Sequence, residues 1–131
     1  MKYAPLIGRI LFSVIFISSG LKHFSSGTIQ YGAAAGVPAA SFFVPAAGII
    51  AIAGALSVLL GYKAKWGAWL LVIFLFPVSF IMHAYWNVED PMQHQIQHIM
   101  FLKNMSMLGG ALILTYFGSG PISLDAMIKS K

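Results

Sequence analysis

The sequence predicts an all-α fold: an integral membrane four-helix bundle with both termini cytoplasmic and a short interfacial or re-entrant helix between spans one and two. Three observations predict it. Of 131 residues, 59% are hydrophobic and 8% charged, with a mean hydropathy of +0.83, whereas soluble domains carry about 25% charged residues. Apolar stretches at Ala4 to Leu21, Phe42 to Gly61, Trp66 to Trp86 and Ile99 to Phe117 each approach the roughly 20 residues needed to cross a bilayer core. The cations are one-sided: Lys2, Arg9, Lys63, Lys65, Lys129 and Lys131 fall at one membrane face and Lys22 at the other, which is the positive-inside pattern. The net charge of +5 therefore orients the chain in a bilayer and does not indicate nucleic-acid binding.

Span one begins with Pro5 in its first turn, where a missing amide donor costs little. Lys2 followed by an apolar run ending in Ser18, Ser19 and Gly20 imitates a signal peptide, but Met1 is retained, so an uncleaved span is expected. The connection Lys22 to Ser41 contains "SSGTIQYGAAAGVP", read as the short interfacial helix, closed by Gly36 and Pro38. Span two opens with Pro45 in its first turn and carries Ala47, Ala51 and Ala55 beside Gly48 and Gly54. This strip of small residues lets another backbone come close, within the bundle first and in self-association second. Pro77 is expected to kink span three. Helix four starts outside the membrane, with Asp90 as N-cap, Pro91 at the first helical position and Gln93 placed for a capping box. From Pro91 to Phe117 it would run about 40 Å. Together the spans make one transmembrane domain, residues 1–131.

Most titratable groups gather in "MHAYWNVEDPMQHQIQHIMFLKN", which holds three of the four histidines and two of the three acids. On span three, Ser79, His83 and Trp86 share one helix face by the three-and-four rule, and on span four Lys103 and Asn104 share another. Helical rise sets His83 and Lys103 at similar depth. His83, Trp86, Lys103, Asn104 and Ser79 therefore form a candidate outer-leaflet pocket for a polar head group such as a quinone carbonyl. The competing reading is that Lys103 snorkels to headgroups and His83 merely packs. His94 and His98 are spaced for two metal ligands on one face but lack a fixed third, so no metal site is assigned. Asp90 and Pro91 have structural roles at the helix start. Arg9 and Asp125 are also read as structural: they pair, or Arg9 reaches a lipid phosphate. With no cysteine, disulfides, thiolate catalysis and cysteine-held metals are excluded.

The stretches "RILFSVIFISSGLKHF", "AAAGVP", "LLGYKAKWGAWLL", "HAYW", "FLKNMSMLGGAL" and "GSGPISLDA" resemble, in this order and over essentially the whole chain, the DoxX family of small four-span bacterial membrane proteins. That resemblance implies a multi-pass protein of the bacterial inner membrane, similar to the DoxD-type small subunit of thiosulfate:quinone oxidoreductase. It implies an accessory or scaffold subunit of a membrane-associated redox complex or, alternatively, a quinone-linked oxidoreductase subunit, with quinone as the cofactor to look for. The lipid bilayer, and either protein partners or a second copy, are the expected partners. Whether the chain catalyses a reaction is left open by its residues.

The charge asymmetry generates a topology test. Reporter fusions after Lys131 and between Lys63 and Lys65 should report cytoplasm, and a fusion between Asn87 and Asp90 the outside. Opposite locations for the C-terminus and the Lys63 turn would refute the assignment.

Overall fold

In the computed structural model, which describes residues 1–131, four helices are long and apolar enough to cross a membrane. They are α1 (Ala4–Lys22), α3 (Ala40–Leu60), α4 (Ala64–Met82) and α5 (Pro91–Phe117), accompanied by the short helices α2 (Ser26–Ala34) and α6 (Leu124–Lys129). No strand is present. The short helix expected between spans one and two is α2, whose N-terminus is capped by the Ser25 hydroxyl accepting from Thr28 N–H. Helix α5 has the expected bounds, with the Asp90 carboxylate accepting from Gln93 N–H at 2.9 Å and Pro91 in the first turn.

Two boundaries differ from expectation. Helix α3 begins at Ala40, so Pro45 lies inside the helix and not in its first turn. Helix α4 ends at Met82, and a separate 3-10 turn, Tyr85–Asn87, follows. Trp86 consequently leaves the α4 face that it was expected to share with Ser79 and His83.

The packing order follows from where side chains are smallest. Helix α3 is flanked by α1 and α4, and α5 packs on α4, so the four spans form an arc. A Cβ on Gly48 of α3 would lie 2.7 Å from the Gly20 carbonyl oxygen of α1, and one on Gly20 would lie 3.0 Å from the Gly48 carbonyl oxygen. Between α3 and α4, a Cβ on Gly54 would sit 2.8 Å from the Gly67 oxygen, and one on Gly67 2.9 Å from the Gly54 oxygen. Backbones touch at both crossings, as a small-residue strip allows. Ala51 and Ala55, fully buried, fill the core between them with Phe16, Val58, Leu71 and Leu75.

At the end of the bundle shared by both termini, α6 and the loop before it fold back onto the α3–α4 turn. Gly61 there adopts φ +66, and its carbonyl accepts from Asp125 N–H at 2.8 Å, with the Ser119 hydroxyl oxygen 3.1 Å away. The Asp125 carboxylate accepts from Lys63 N–H at 2.9 Å, Ala64 N–H at 3.4 Å and the Ser119 hydroxyl at 2.6 Å. It thus caps the N-terminus of α4 from another helix, where a negative charge also meets the positive end of the helix dipole. Arg9, 2% exposed, donates instead to the Ile122 carbonyl and packs against Gly61. Its Nε and Nη1 have no partner, so neither a direct Arg9–Asp125 pair nor a reach to lipid is formed.

Burial pushes the Asp125 carboxyl upward, but the Ser119 hydroxyl, the Lys63 and Ala64 amides and nearby Lys129 outweigh it and hold it below its ordinary value. A carboxylate depressed in the folded state contributes stability above its unfolded pKa of about 3.9 and loses it as pH falls through the lower folded value. Asp125→Ala should therefore destabilise the detergent-solubilised protein by on the order of 1 kcal/mol at neutral pH, a figure already reduced for solvent screening. The difference from wild type should shrink in thermal melts below pH 4. A pH-independent difference would remove the charge from the explanation.

Candidate functional site

The predicted pocket is assembled in part. His83, Lys103 and Asn104 line one cavity together with Phe16 and Ser19 of α1 and Phe74 of α4. Its volume is only about 90 Å³, room for about three water-sized groups at roughly 30 Å³ each, whereas small-molecule pockets start near 300 Å³. A quinone ring does not fit. Asn104 is buried, and Lys103 is exposed at the rim, its Nζ 3.3 Å from the Met100 sulfur.

The other expected members lie elsewhere. Ser79 is fully buried, but its hydroxyl donates to the Leu75 carbonyl of its own helix at 2.5 Å, so it does not bond His83. Trp86, about half exposed, packs tilted against Phe80 and edge-on to Tyr85 and Phe101. His94 and His98, spaced for metal ligation in the sequence, both pack on Tyr85, with ring centroids 5.5 and 4.4 Å away, and His94 Nδ1 is 3.2 Å from the Val88 carbonyl oxygen. Their own ring centroids are 6.4 Å apart, and no group of three metal-ligating side chains forms around them.

His83 belongs to a hydrogen-bond chain that the sequence reading missed. Its Nδ1 is 2.7 Å from Gln97 Oε1, the Gln97 amide donates to the Tyr31 hydroxyl at 2.9 Å, and that hydroxyl donates to the Met82 carbonyl at 2.9 Å. Because Gln97 Oε1 can only accept, His83 carries its proton on Nδ1. The chain joins α2, the end of α4 and α5, and it satisfies a terminal carbonyl of α4. Gln97 was findable: it lies seven residues before Asn104 with Met100 between, on one helix face. Tyr31 had no local signal.

These bonds are structural, and their removal can be measured. Gln97→Leu, which leaves His83 and Tyr31 without partners, should cost about 1–3 kcal/mol. Tyr31→Phe should cost less in that background than in wild type, the coupling expected of one network. Lys103→Met should leave the thermal midpoint unchanged or raise it, because it removes a charge from the membrane. Additive effects of the Tyr31 and Gln97 changes would break the proposed chain.

The SURF4 family model matches residues 1–131. The chain is 30% identical over 128 residues to Inner membrane protein YqjF of Escherichia coli (strain K12), covering 96% of this chain and 92% of that protein. To Inner membrane protein YphA of the same organism it is 32% identical over 123 residues, 92% of this chain and 86% of that protein. The Surfeit locus protein 4 homolog of Schizosaccharomyces pombe is 32% identical over 83 residues, 62% of this chain but 27% of that protein. No solved structure matches. These findings overturn the DoxX resemblance. The motifs that carried it are small-residue strips, a basic turn and interface aromatics, features that a bilayer favours in membrane helix bundles generally. The redox role implied by that resemblance goes with it, and nothing in the matched proteins supports a quinone role. The chain is a multi-pass inner-membrane protein, and it belongs to the SURF4 family.

Proposed function

We propose that the protein is a non-catalytic adaptor of the inner membrane, which receives a transmembrane helix of a partner protein in the open seam between α1 and α5. The seam is the observation that carries this reading. Helices α1 and α5 close the arc only weakly, and toward the termini end they leave a groove of about 550 Å³ whose walls include Gly8, Phe12, Gly110, Ile113 and Phe117. Such small-residue and aromatic walls suit a close helix approach, since packing and not hydrophobicity drives association in lipid.

Two further features support it. Helix α5 is the least buried of the four spans, yet it exposes Lys103 and Ser106, polar groups that lipid cannot pair. Several other polar side chains of the spans bond within the protein: His83 to Gln97, Ser79 to Leu75, and Arg9 through one nitrogen to Ile122. The bonds of His83 and Arg9 tie separate segments of the chain together, a packing role.

A photo-crosslinking amino acid at Ile113, 60% exposed in the groove, should capture a distinct polypeptide in native membranes. Gly8→Leu should abolish capture while leaving the thermal midpoint unchanged or higher. A Cβ at Gly8 meets nothing within 4 Å, and leucine is a better helix former than glycine by roughly 0.8–1 kcal/mol. A product at twice the chain mass would replace the partner by a second copy. Capture of lipid alone would end the reading.

A further inference from the structure

A second cavity, which shares only Val78 with the predicted pocket, opens at the α2 end of the bundle. It lies between the end of α1, the segment before α3, the first turns of α3 and the second half of α4, with a volume of about 240 Å³. Its walls are almost wholly apolar, built by Val44 and Ala47 of α3 and by Val78, Ile81 and Met82 of α4. The exception is His23.

His23 is 8% exposed and its ring is fixed from several sides. Its Nδ1 lies 2.7 Å from the Ser19 carbonyl oxygen, and a carbonyl can only accept, so Nδ1 carries a proton. The ring stands edge-on to Phe74 at 5.5 Å, and its Cβ lies where Gly48 has no side chain, at 2.6 Å from the position a Cβ there would take. In the neutral ring, Nε2 is then an acceptor with a free lone pair. Nε2 makes no hydrogen bond within the protein, and unlike Arg9 Nε and Nη1 or the Ser13 hydroxyl it is not sealed from its surroundings.

A histidine lining an apolar cavity, its Nδ1 already engaged and its Nε2 without a partner, selects its ligand by elimination. A hydrocarbon would fill the walls but leave Nε2 unpaired, which forfeits a buried hydrogen bond. A carboxylate would set acceptor against acceptor, and an ammonium would carry a full charge into an apolar space. A neutral hydroxyl donates one hydrogen bond and brings no charge. The volume of about 240 Å³ takes roughly eight water-sized groups at roughly 30 Å³ each, so the cavity holds the head and first carbons of a longer chain, whose remainder extends into the bilayer.

We infer that this cavity binds a single-chain amphiphile with a neutral hydroxyl head, the hydroxyl donating to His23 Nε2 and the chain lying between α3 and α4. The site is independent of the α1–α5 seam and of the adaptor reading.

The test uses the full chain in phosphatidylcholine vesicles with a diazirine-bearing analogue of 1-decanol. Photolabel should map to the peptides holding Val44 to Ala47 and Val78 to Met82. Unlabelled 1-decanol should compete at least tenfold better than decane or decanoate. His23→Phe keeps a ring against Phe74 and should make decanol and decane equal competitors, and Ala47→Trp should fill the cavity and remove the label. Should either variant misfold, the wild-type ¹⁵N resonance of His23 Nε2 still decides: it should move toward the hydrogen-bonded range with decanol and stay with decane. Equal competition by decane in the wild type, preference for decanoate, or label persisting in a folded Ala47→Trp would each overturn the proposal.

Discussion

The architecture depends on α3 being touched by backbone on both sides. At Gly20–Gly48 and Gly54–Gly67 no side chain separates the helices, and a Cβ at any of the four positions would come within 3.0 Å of the facing carbonyl oxygen. In lipid, hydrophobic burial does not favour one helix pairing over another, so contact this close is a main source of association energy. Everything else is arranged around it. Helix α1 and helix α4 are fixed to opposite faces of α3, α5 is left to pack on α4, and the arc that results determines which grooves exist.

Close packing of the spans places demands on their ends, where backbone groups are orphaned. The two ends solve this with residues from distant parts of the chain. Asp125 supplies acceptors for the first amides of α4, and Tyr31 supplies a donor for its last carbonyl. Both contacts make α4 the helix most thoroughly held at its termini, and each draws a short helix, α6 or α2, onto the bundle. Arg9 adds a less settled element: a buried guanidinium with a single acceptor, the Ile122 carbonyl, beside the charge of Asp125. A buried cation with few hydrogen bonds contributes little stability but costs much if its acceptor is removed. Its role is positional, holding the loop before α6 against Gly61.

Features set by covalent chemistry were legible in the sequence. Asp90-Pro91 fixed the start of α5, and the small-residue strip of span two named the helix that others approach. The end of α4 was not legible, because "MHAYW" continues an apolar pattern without glycine or proline. The bond that satisfies its last carbonyl comes from a side chain 51 positions away. The candidate site suffered from the same blindness. Depth along each helix brought His83, Lys103 and Asn104 to one level correctly, but their partners depended on tertiary neighbours. His83 found Gln97 and not Ser79, and the space left among them shrank to about 90 Å³. His23 drew no notice because it stood apart from the histidine cluster, and only the fold shows it walled by α3 and α4. The family was misread for a related reason: motifs favoured by the bilayer recur in more than one family of small bundles.

The open side of the arc follows from the same physics that closes the other contacts. Helices α1 and α5 carry exposed Ile10, Leu11, Val14, Leu112 and Ile113, which in water would be driven together. In a bilayer those side chains are already solvated by hydrocarbon, so burying them against each other gains little. Only shape and polar pairing remain to decide whether the seam closes. Phe12 stands against Gly110, where a Cβ would be 3.0 Å from the Phe12 ring, and beyond that contact the walls diverge. A seam that nothing internal drives shut can persist as a groove. It can also be filled by any helix offering better complementarity than acyl chains do, together with an acceptor for the exposed Lys103. Openness here is a consequence of the solvent, and on the adaptor reading proposed above it is where this small bundle would meet another membrane protein.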